Sequence, residues 1–186
     1  MYYAGQYNSE VENNNANTKF GFNPSQDLAY RGIRKAFLYI ENVDRVPDMS
    51  EADKIVRKGE AYMIIACHYH ELMRHFGGVP LLKSSVNVES DAGADYSRQP
   101  VKAVAEYILE LCKEAAGMLP WSVSPADDGR FTKAAAMGLK CRVLQYLASP
   151  LFNANEPYMA MGTPQGGNIE KLNAENIPYM VWLGNY

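Results

Sequence analysis

Histidine positions are the first place to look for chemistry, because imidazole binds transition metals and exchanges protons near neutral pH. All three histidines, His68, His70 and His75, fall within residues 51–76, a stretch that is predicted to be helical. On a helix, positions 68 and 70 point about 200° apart, and His68 and His75 share a face but lie roughly 10 Å apart along the axis. The spacing therefore predicts structural or surface histidines, and no metal site.

Carboxylates and thiols give no catalytic constellation either. Glu60 and Glu71 could face a cleft, but sequence alone selects no acid–base pair among the 21 acidic residues. We expect Glu60 to pair with an arginine in a buried contact. The cysteines have no CxxC spacing and are odd in number, so neither a disulfide framework nor a zinc site follows. Cys112 and Cys141 are expected to be small buried hydrophobic residues.

Tyrosine and asparagine are the residue types that stand out, above all near the start of the chain. Tyrosine outnumbers phenylalanine 13 to 6, and residues 1–26 combine aromatic rings with six asparagines and little charge. An aromatic ring offers a flat apolar face to the C–H side of a sugar, while an amide both donates and accepts hydrogen bonds, as hydroxyl pairs require. This composition suits a neutral polyhydroxylated ligand. The candidate glycan-binding residues are Tyr2, Tyr3, Tyr7, Asn14, Asn17, Phe20 and Phe22. The open alternative is that the rings pack on helices and the asparagines form turns.

Four helices are predicted to position these residues. The first begins near Asp27 and ends before Pro47. The second, about 51–76, has Ser50 as its N-cap and ends at a Gly-Gly-Val-Pro stop. Its apolar residues repeat at steps of three and four from Ile55 to Phe76, and the small residue Gly59 suggests that a neighbouring helix crosses closely. The third runs from Pro100 to Pro120, and the fourth from Thr132 to Ser149, with Ala135 on its inner face. The pattern predicts an all-α fold of antiparallel helical hairpins.

Size and charge limit the classes of function. The 186 residues carry a net charge of −3, so no basic excess recruits nucleic acid. The longest apolar run, residues 61–67, is far shorter than the roughly 20 residues of a membrane span. We expect an irregular aromatic- and Asn-rich segment at 1–26, a helical domain at 27–150 and a loop-rich segment at 151–186. The apolar end at 180–186 is expected to continue into a longer protein.

Six strings in order along the chain resemble the SusD/RagB family of surface glycan-binding lipoproteins. The string YHELMRHFGGVPLL at 69–82 is similar to the family's Y-F-x-L-x-R-x-Y-G-G-V-P-L, and GEAYMIIA at 59–66 is similar to G-E-A-x-F-L-R-A, with Ile65 where arginine is usual. The others lie at 30–36, at 98–101 together with 118–120, at 129–136 and at 148–153.

The resemblance implies a SusD-like frame of tetratricopeptide-type (TPR-like) helical hairpins with long irregular loops. It also implies capture of a neutral oligosaccharide or polysaccharide without catalysis and without a cofactor. It places the protein at the extracellular face of the outer membrane through a lipid anchor that this chain does not show. The implied partner is a SusC-like TonB-dependent transporter. Two hypotheses from other classes stay open: a helical protein-interaction scaffold without sugar binding, and a helical glycosidase.

Overall fold

The computed structural model describes residues 28–86, 96–149 and 152. Within these ranges the chain forms four α-helices and no β-strand. They are α1 (Leu28–Asn42), α2 (Glu51–Phe76), α3 (Val101–Met118) and α4 (Lys133–Leu147). The predicted all-α fold class is therefore confirmed. The division into segments 1–26, 27–150 and 151–186 stays a prediction, because the first segment and nearly all of the last lie outside the described residues.

The helix ends follow from local chemistry that the sequence displays. The side-chain hydroxyl of Ser50 accepts a hydrogen bond of 3.1 Å from the backbone N–H of Asp53 at the start of α2. Thr132 caps α4 in the same way through the N–H of Ala135, at 3.2 Å. Gly77 ends α2 with a φ of 68°, a conformation that glycine adopts without steric cost. These ends lie within a few residues of the predicted ones.

Helix α2 is buried on more than one face, which the predicted single stripe does not anticipate. Tyr69 and Met73 of the stripe are buried as expected, but Ile55 is 50% exposed, so its assignment to the core is wrong. Met63 and Ile65, which lie off the stripe, are 1% and 0% exposed. The reason is that α2 lies between α1 and α3 and packs extensively on both. A buried isoleucine therefore suits position 65.

Successive helices run antiparallel. Gly32, near the start of α1, faces the side chain of His68 near the end of α2. Gly59, near the start of α2, faces Met118 at the end of α3. A Cβ on Gly59 would lie only 2.9 Å from the Cβ of Met118, so the absence of a side chain permits this close crossing. The predicted close helix approach at Gly59 is confirmed.

One hydrophobic core joins all four helices. Its most deeply buried members come from α1, α2, α3 and α4 in turn: Ile33, Met63, Ile65, Val104, Ile108, Val143 and Leu147. Two inward assignments on α4 are wrong, because Ala135 and Cys141 are exposed. Helix α4 packs chiefly on α3, so within the described residues its far side faces solvent. None of the helices described combines the length and apolar character needed to cross a membrane.

Candidate functional site

The seven glycan-binding candidates from the sequence all lie outside the described residues. The structure therefore leaves them as predictions: Tyr2, Tyr3, Tyr7, Asn14, Asn17, Phe20 and Phe22. What it does show is the surroundings of the Gly-Gly-Val-Pro-Leu-Leu string that follows α2. That string begins a stretch outside helices and strands, residues 78–86, which we call the clamped segment.

Three tyrosines from three helices hold the clamped segment in place. A segment outside helices and strands must satisfy its backbone polar groups through other partners. The Tyr30 hydroxyl donates to the carbonyl of Pro80 at 2.9 Å. The Tyr69 hydroxyl accepts from the N–H of Leu82 at 2.7 Å, and the Tyr107 hydroxyl donates to the carbonyl of Leu82 at 3.0 Å. The three phenol groups thus replace the hydrogen bonds that a neighbouring strand would supply.

The start of the clamped segment is fixed by residues that precede α3. The Arg98 guanidinium donates from Nε to the carbonyl of Gly78 at 2.8 Å, and it also donates to the carbonyl of Phe76. The N–H of Gln99 donates to the carbonyl of Val79 at 3.2 Å. A Cβ at Gly78 would collide with the backbone oxygen of Gln99, so this approach requires glycine. The consequence is that the two ends of the long α2–α3 connection are tied together.

The far end of the clamped segment is bound to α1. The Glu41 carboxylate accepts from both the backbone N–H and the hydroxyl of Ser85, at 2.8 and 2.5 Å. The Arg34 Nε donates to the carbonyl of Val86 at 3.2 Å. The hydrogen bonds from the Ser85 hydroxyl and N–H lower the pKa of Glu41, since both favour the ionised carboxylate. The segment is therefore held along its whole length by α1, α2 and α3.

The tyrosines themselves form a packed row. The rings of Tyr30 and Tyr69 meet edge to face with centroids 6.4 Å apart, and those of Tyr69 and Tyr107 do so at 5.4 Å. Burial raises the pKa of Tyr69, and it raises the pKa of Tyr107 to about 12. Both phenols stay protonated at physiological pH. The hydroxyls of these helical tyrosines have a structural role, unlike the sugar-binding role predicted for the tyrosines in residues 1–26.

A groove lies between the clamped segment and the outer side of α3. Its volume is about 520 Å³, within the range of small-ligand sites. Its lining combines an aromatic ring, two carboxylates, an amide and an amine with the apolar side chains of Leu81 and Ala103. The lining residues are Leu81, Lys83, Gln99, Ala103, Glu106, Tyr107 and Glu110. Sequence reasoning missed this groove because its residues come from separate stretches; the excess of tyrosine was the only available signal.

Glu60 pairs with arginine as the sequence predicts, but the contact is only partly buried, because Glu60 is intermediate in exposure and Arg130 is exposed. Arg130, which precedes α4, donates from Nε and Nη2 to the two carboxylate oxygens, each at 2.8 Å. Arg57 donates to the same carboxylate at 2.9 and 3.0 Å. Burial opposes ionisation, but the hydrogen bonds from Arg130 and Arg57 outweigh it and lower the pKa of Glu60. A carboxylate held by two arginines fastens the α3–α4 loop to α2 and is unsuited to proton transfer.

Among the histidines, His68 is partly buried, His70 is buried and His75 is exposed. His68 packs against Gly32, and His75 Nδ1 lies 2.8 Å from the carbonyl oxygen of Glu71. His70 is 3% exposed, and its Nε2 has no hydrogen-bond partner among the described residues. Burial lowers the pKa of both His68 and His70, so each favours its neutral form. In the described ranges, no three His, Cys, Asp or Glu side chains could hold a metal ion.

The cysteines offer no activated thiol in this part of the chain. Cys112 is buried as predicted, and burial raises its pKa to about 12. Burial also raises the pKa of the partly buried Cys67. A thiol with a raised pKa is protonated and is a poor nucleophile. Cys141 is exposed, so its predicted burial was wrong.

Comparison with known proteins points to one family. A model of SusD-like proteins, described as starch-binding and associating with the outer membrane, matches residues 1–147. Among curated proteins, none matches the chain. A solved SusD-like protein from Bacteroides fragilis NCTC 9343 is 32% identical, with a TM-score of 0.61; the match covers 66% of this chain and 23% of that one.

Two further solved structures agree. A SusD homologue from Bacteroides thetaiotaomicron VPI-5482 is 28% identical with a TM-score of 0.58, covering 67% of this chain and 25% of that one. A laminarin-binding SusD-like protein is 26% identical with a TM-score of 0.57, covering 76% and 30%. This chain thus spans between 23% and 30% of the length of these relatives. The likeness confirms the predicted TPR-like arrangement of helical hairpins.

Proposed function

This chain belongs to the SusD-like family, and from that membership we propose that it is part of a non-catalytic protein that binds neutral glycans at the outer membrane. The observation that carries the proposal is the family match over residues 1–147, which includes all four described helices. The family description names starch, and one solved relative is named for laminarin. Both polysaccharides are uncharged glucans.

The described side chains support binding over catalysis. Glycoside hydrolysis needs two carboxylic groups that converge on one bond, one of them protonated near neutral pH. Glu60 is the most buried of the carboxylates with a shifted pKa, and its two arginines hold it ionised. A rigid helical frame that presents aromatic, amide and carboxylate groups suits the reversible capture of a sugar chain.

The partner in this proposal is a SusC-like TonB-dependent transporter, to which the protein delivers the captured glycan at the extracellular face. Attachment to the membrane would be through a lipid anchor. Exposed apolar side chains among the described residues support a protein contact as well as a glycan site. Trp121 is 64% exposed and Met137 is 48% exposed, although both are large and apolar. For this reason a protein-interaction scaffold without sugar binding is the second candidate.

Affinity electrophoresis tests the proposal directly. The longest protein that the gene encodes is run in native gels containing amylopectin or laminarin, and in a gel without polysaccharide. We expect retardation in at least one neutral glucan gel, with no release of reducing ends when the same glucan is incubated with the protein. An unrelated protein of similar size and charge serves as the control for sieving.

The two candidates differ in a second measurement. Under the glycan-binding proposal, deletion of residues 1–26 weakens glucan retardation. Under the scaffold alternative, this deletion leaves binding to the transporter intact and there is no glucan retardation to lose. Copurification with a SusC-like TonB-dependent transporter provides the partner readout. Absence of retardation across neutral glycans would count against glycan binding and favour the scaffold.

A further inference from the structure

The groove between the clamped segment and α3 has the composition of a sugar subsite. The Tyr107 ring lies at its wall, with the Lys83 ammonium 6.0 Å from the ring centroid. Glu106 and Glu110 are exposed and lie one helical turn apart on α3, and Gln99 adds an amide. Carboxylate and amide groups pair with the vicinal hydroxyls of a pyranose, and an aromatic ring packs on its C–H face.

The walls of this groove are fixed before any ligand arrives. The Tyr107 hydroxyl donates to the carbonyl of Leu82 at 3.0 Å, which joins α3 to the clamped segment across the groove. At the other end, the N–H of Gln99 donates to the carbonyl of Val79 at 3.2 Å. Binding therefore requires little ordering of the protein, and preorganisation of this kind improves affinity.

The charges at the groove restrict the ligand class. Two carboxylates face one ammonium group, so the local charge is −1 and a uronic acid or sulfated sugar would be repelled. A metal ion is disfavoured, because the described residues bring no third His, Cys, Asp or Glu ligand to these two glutamates. A neutral hexose fits both the apolar and the hydrogen-bonding side chains of this lining.

We propose that this groove is a second glycan-contact subsite, separate from residues 1–26, that holds one or two neutral hexose units of the captured chain. The inference rests on the proposed function, and it adds a location and a charge selectivity to it. Lys83 and the two glutamates hydrogen-bond the sugar hydroxyls, while Tyr107 and Leu81 pack on the ring.

Two variants test the groove without cutting the hydrogen bonds that shape it. Ala103→Arg fills the groove from α3, and its matched control is Ala134→Arg on the exposed side of α4. The double variant Glu106→Ala/Glu110→Ala removes the carboxylates, and Glu114→Ala is its control on an exposed part of α3 outside the groove. Thermal melts confirm folding; because the glutamates are exposed, the double variant tests the groove even where Ala103→Arg fails to fold.

Affinity electrophoresis over a range of amylopectin and laminarin concentrations gives the dissociation constants. We expect both groove variants to bind about tenfold more weakly, with the controls unchanged. The double variant loses hydrogen bonds to charged groups, and the arginine of Ala103→Arg occupies the space of the sugar. Groove variants that bind like the wild type, or controls that weaken equally, would overturn the subsite and leave the proposed function standing. If neither glucan retards the wild-type protein, both the subsite and the proposed function are overturned. Stronger retardation by polygalacturonate than by amylopectin would overturn the assignment to neutral sugars.

Discussion

Replacing Tyr69 with phenylalanine tests whether the phenol groups hold the clamped segment. Tyr69 is 0% exposed, and its hydroxyl accepts the hydrogen bond from the N–H of Leu82 at 2.7 Å. Phenylalanine keeps the ring and its edge-to-face contacts but leaves that N–H without its partner. A buried polar group that loses its partner costs about 1–3 kcal/mol. Taking about 2 kcal/mol as the central value, we expect Tyr69→Phe to lower the Tm by roughly 4–8 °C in a chain of this size.

The control is the same substitution at Tyr62 on the same helix. Tyr62 is partly buried, and its hydroxyl makes no hydrogen bond with the described part of the chain. Tyr62→Phe should change the unfolding free energy by less than about 0.5 kcal/mol. Differential scanning calorimetry gives both values, and hydrogen exchange at the Leu82 amide should accelerate only in Tyr69→Phe. Equal melting temperatures for the two variants, with unchanged exchange at Leu82, would refute the account of the clamp.

Three further predictions concern other contacts. Gly59→Ala should destabilise the fold by about 1–3 kcal/mol, since its Cβ would lie 2.9 Å from the Cβ of Met118 on α3. Gly117→Ala should stabilise the fold by up to about 1 kcal/mol, because no atom lies within 4 Å of its Cβ position. Urea unfolding measures both changes. A double-mutant cycle on Glu60 and Arg130 should give a measurable coupling free energy at pH 7. The coupling should fade as the pH falls below about 4.5, because the paired carboxylate has a lowered pKa and is protonated there; no coupling at pH 7 would contradict the pairing. Burial lowers the pKa of His70 in the folded state, so the free energy of unfolding of the wild type should fall as the pH drops below about 6.5 and level off below the folded-state pKa. His70→Gln should make that decline less steep. A pH profile that the substitution leaves unchanged would argue against burial of the neutral ring.

The helices could be predicted from the sequence because the residues that begin and end a helix act within a few positions of its ends. Ser50 and Thr132 are side-chain caps, and Gly77 is a stop, so each helix end is encoded next to where it occurs. The errors came from interactions between helices. Ile55 follows the apolar period of α2 yet is exposed, and Met63 departs from it yet is buried, because the neighbours of α2 decide which faces are covered.

The candidate site was less predictable than the fold for a related reason. The three tyrosines that hold the clamped segment come from positions up to 77 residues apart along the chain, and only the packed helices bring their hydroxyls to that segment. Composition showed that tyrosine was abundant, but it did not distinguish rings that clamp backbone from rings that face a ligand. The six family-like strings did carry positional information. The structure gives several of them a physical reason, as with Glu60 of one string and Arg130 of another.

Equilibrium dialysis against a size-defined neutral glucan oligosaccharide tests the central claim most directly, because it measures capture and the absence of cleavage in one experiment. The longest protein that the gene encodes is placed on one side of the membrane, and the oligosaccharide on both sides is quantified and sized at equilibrium. We predict an excess of oligosaccharide on the protein side, recovered at its original length. Equal concentrations on the two sides for starch-type and laminarin-type oligosaccharides alike, or recovery of shortened chains, would contradict the account.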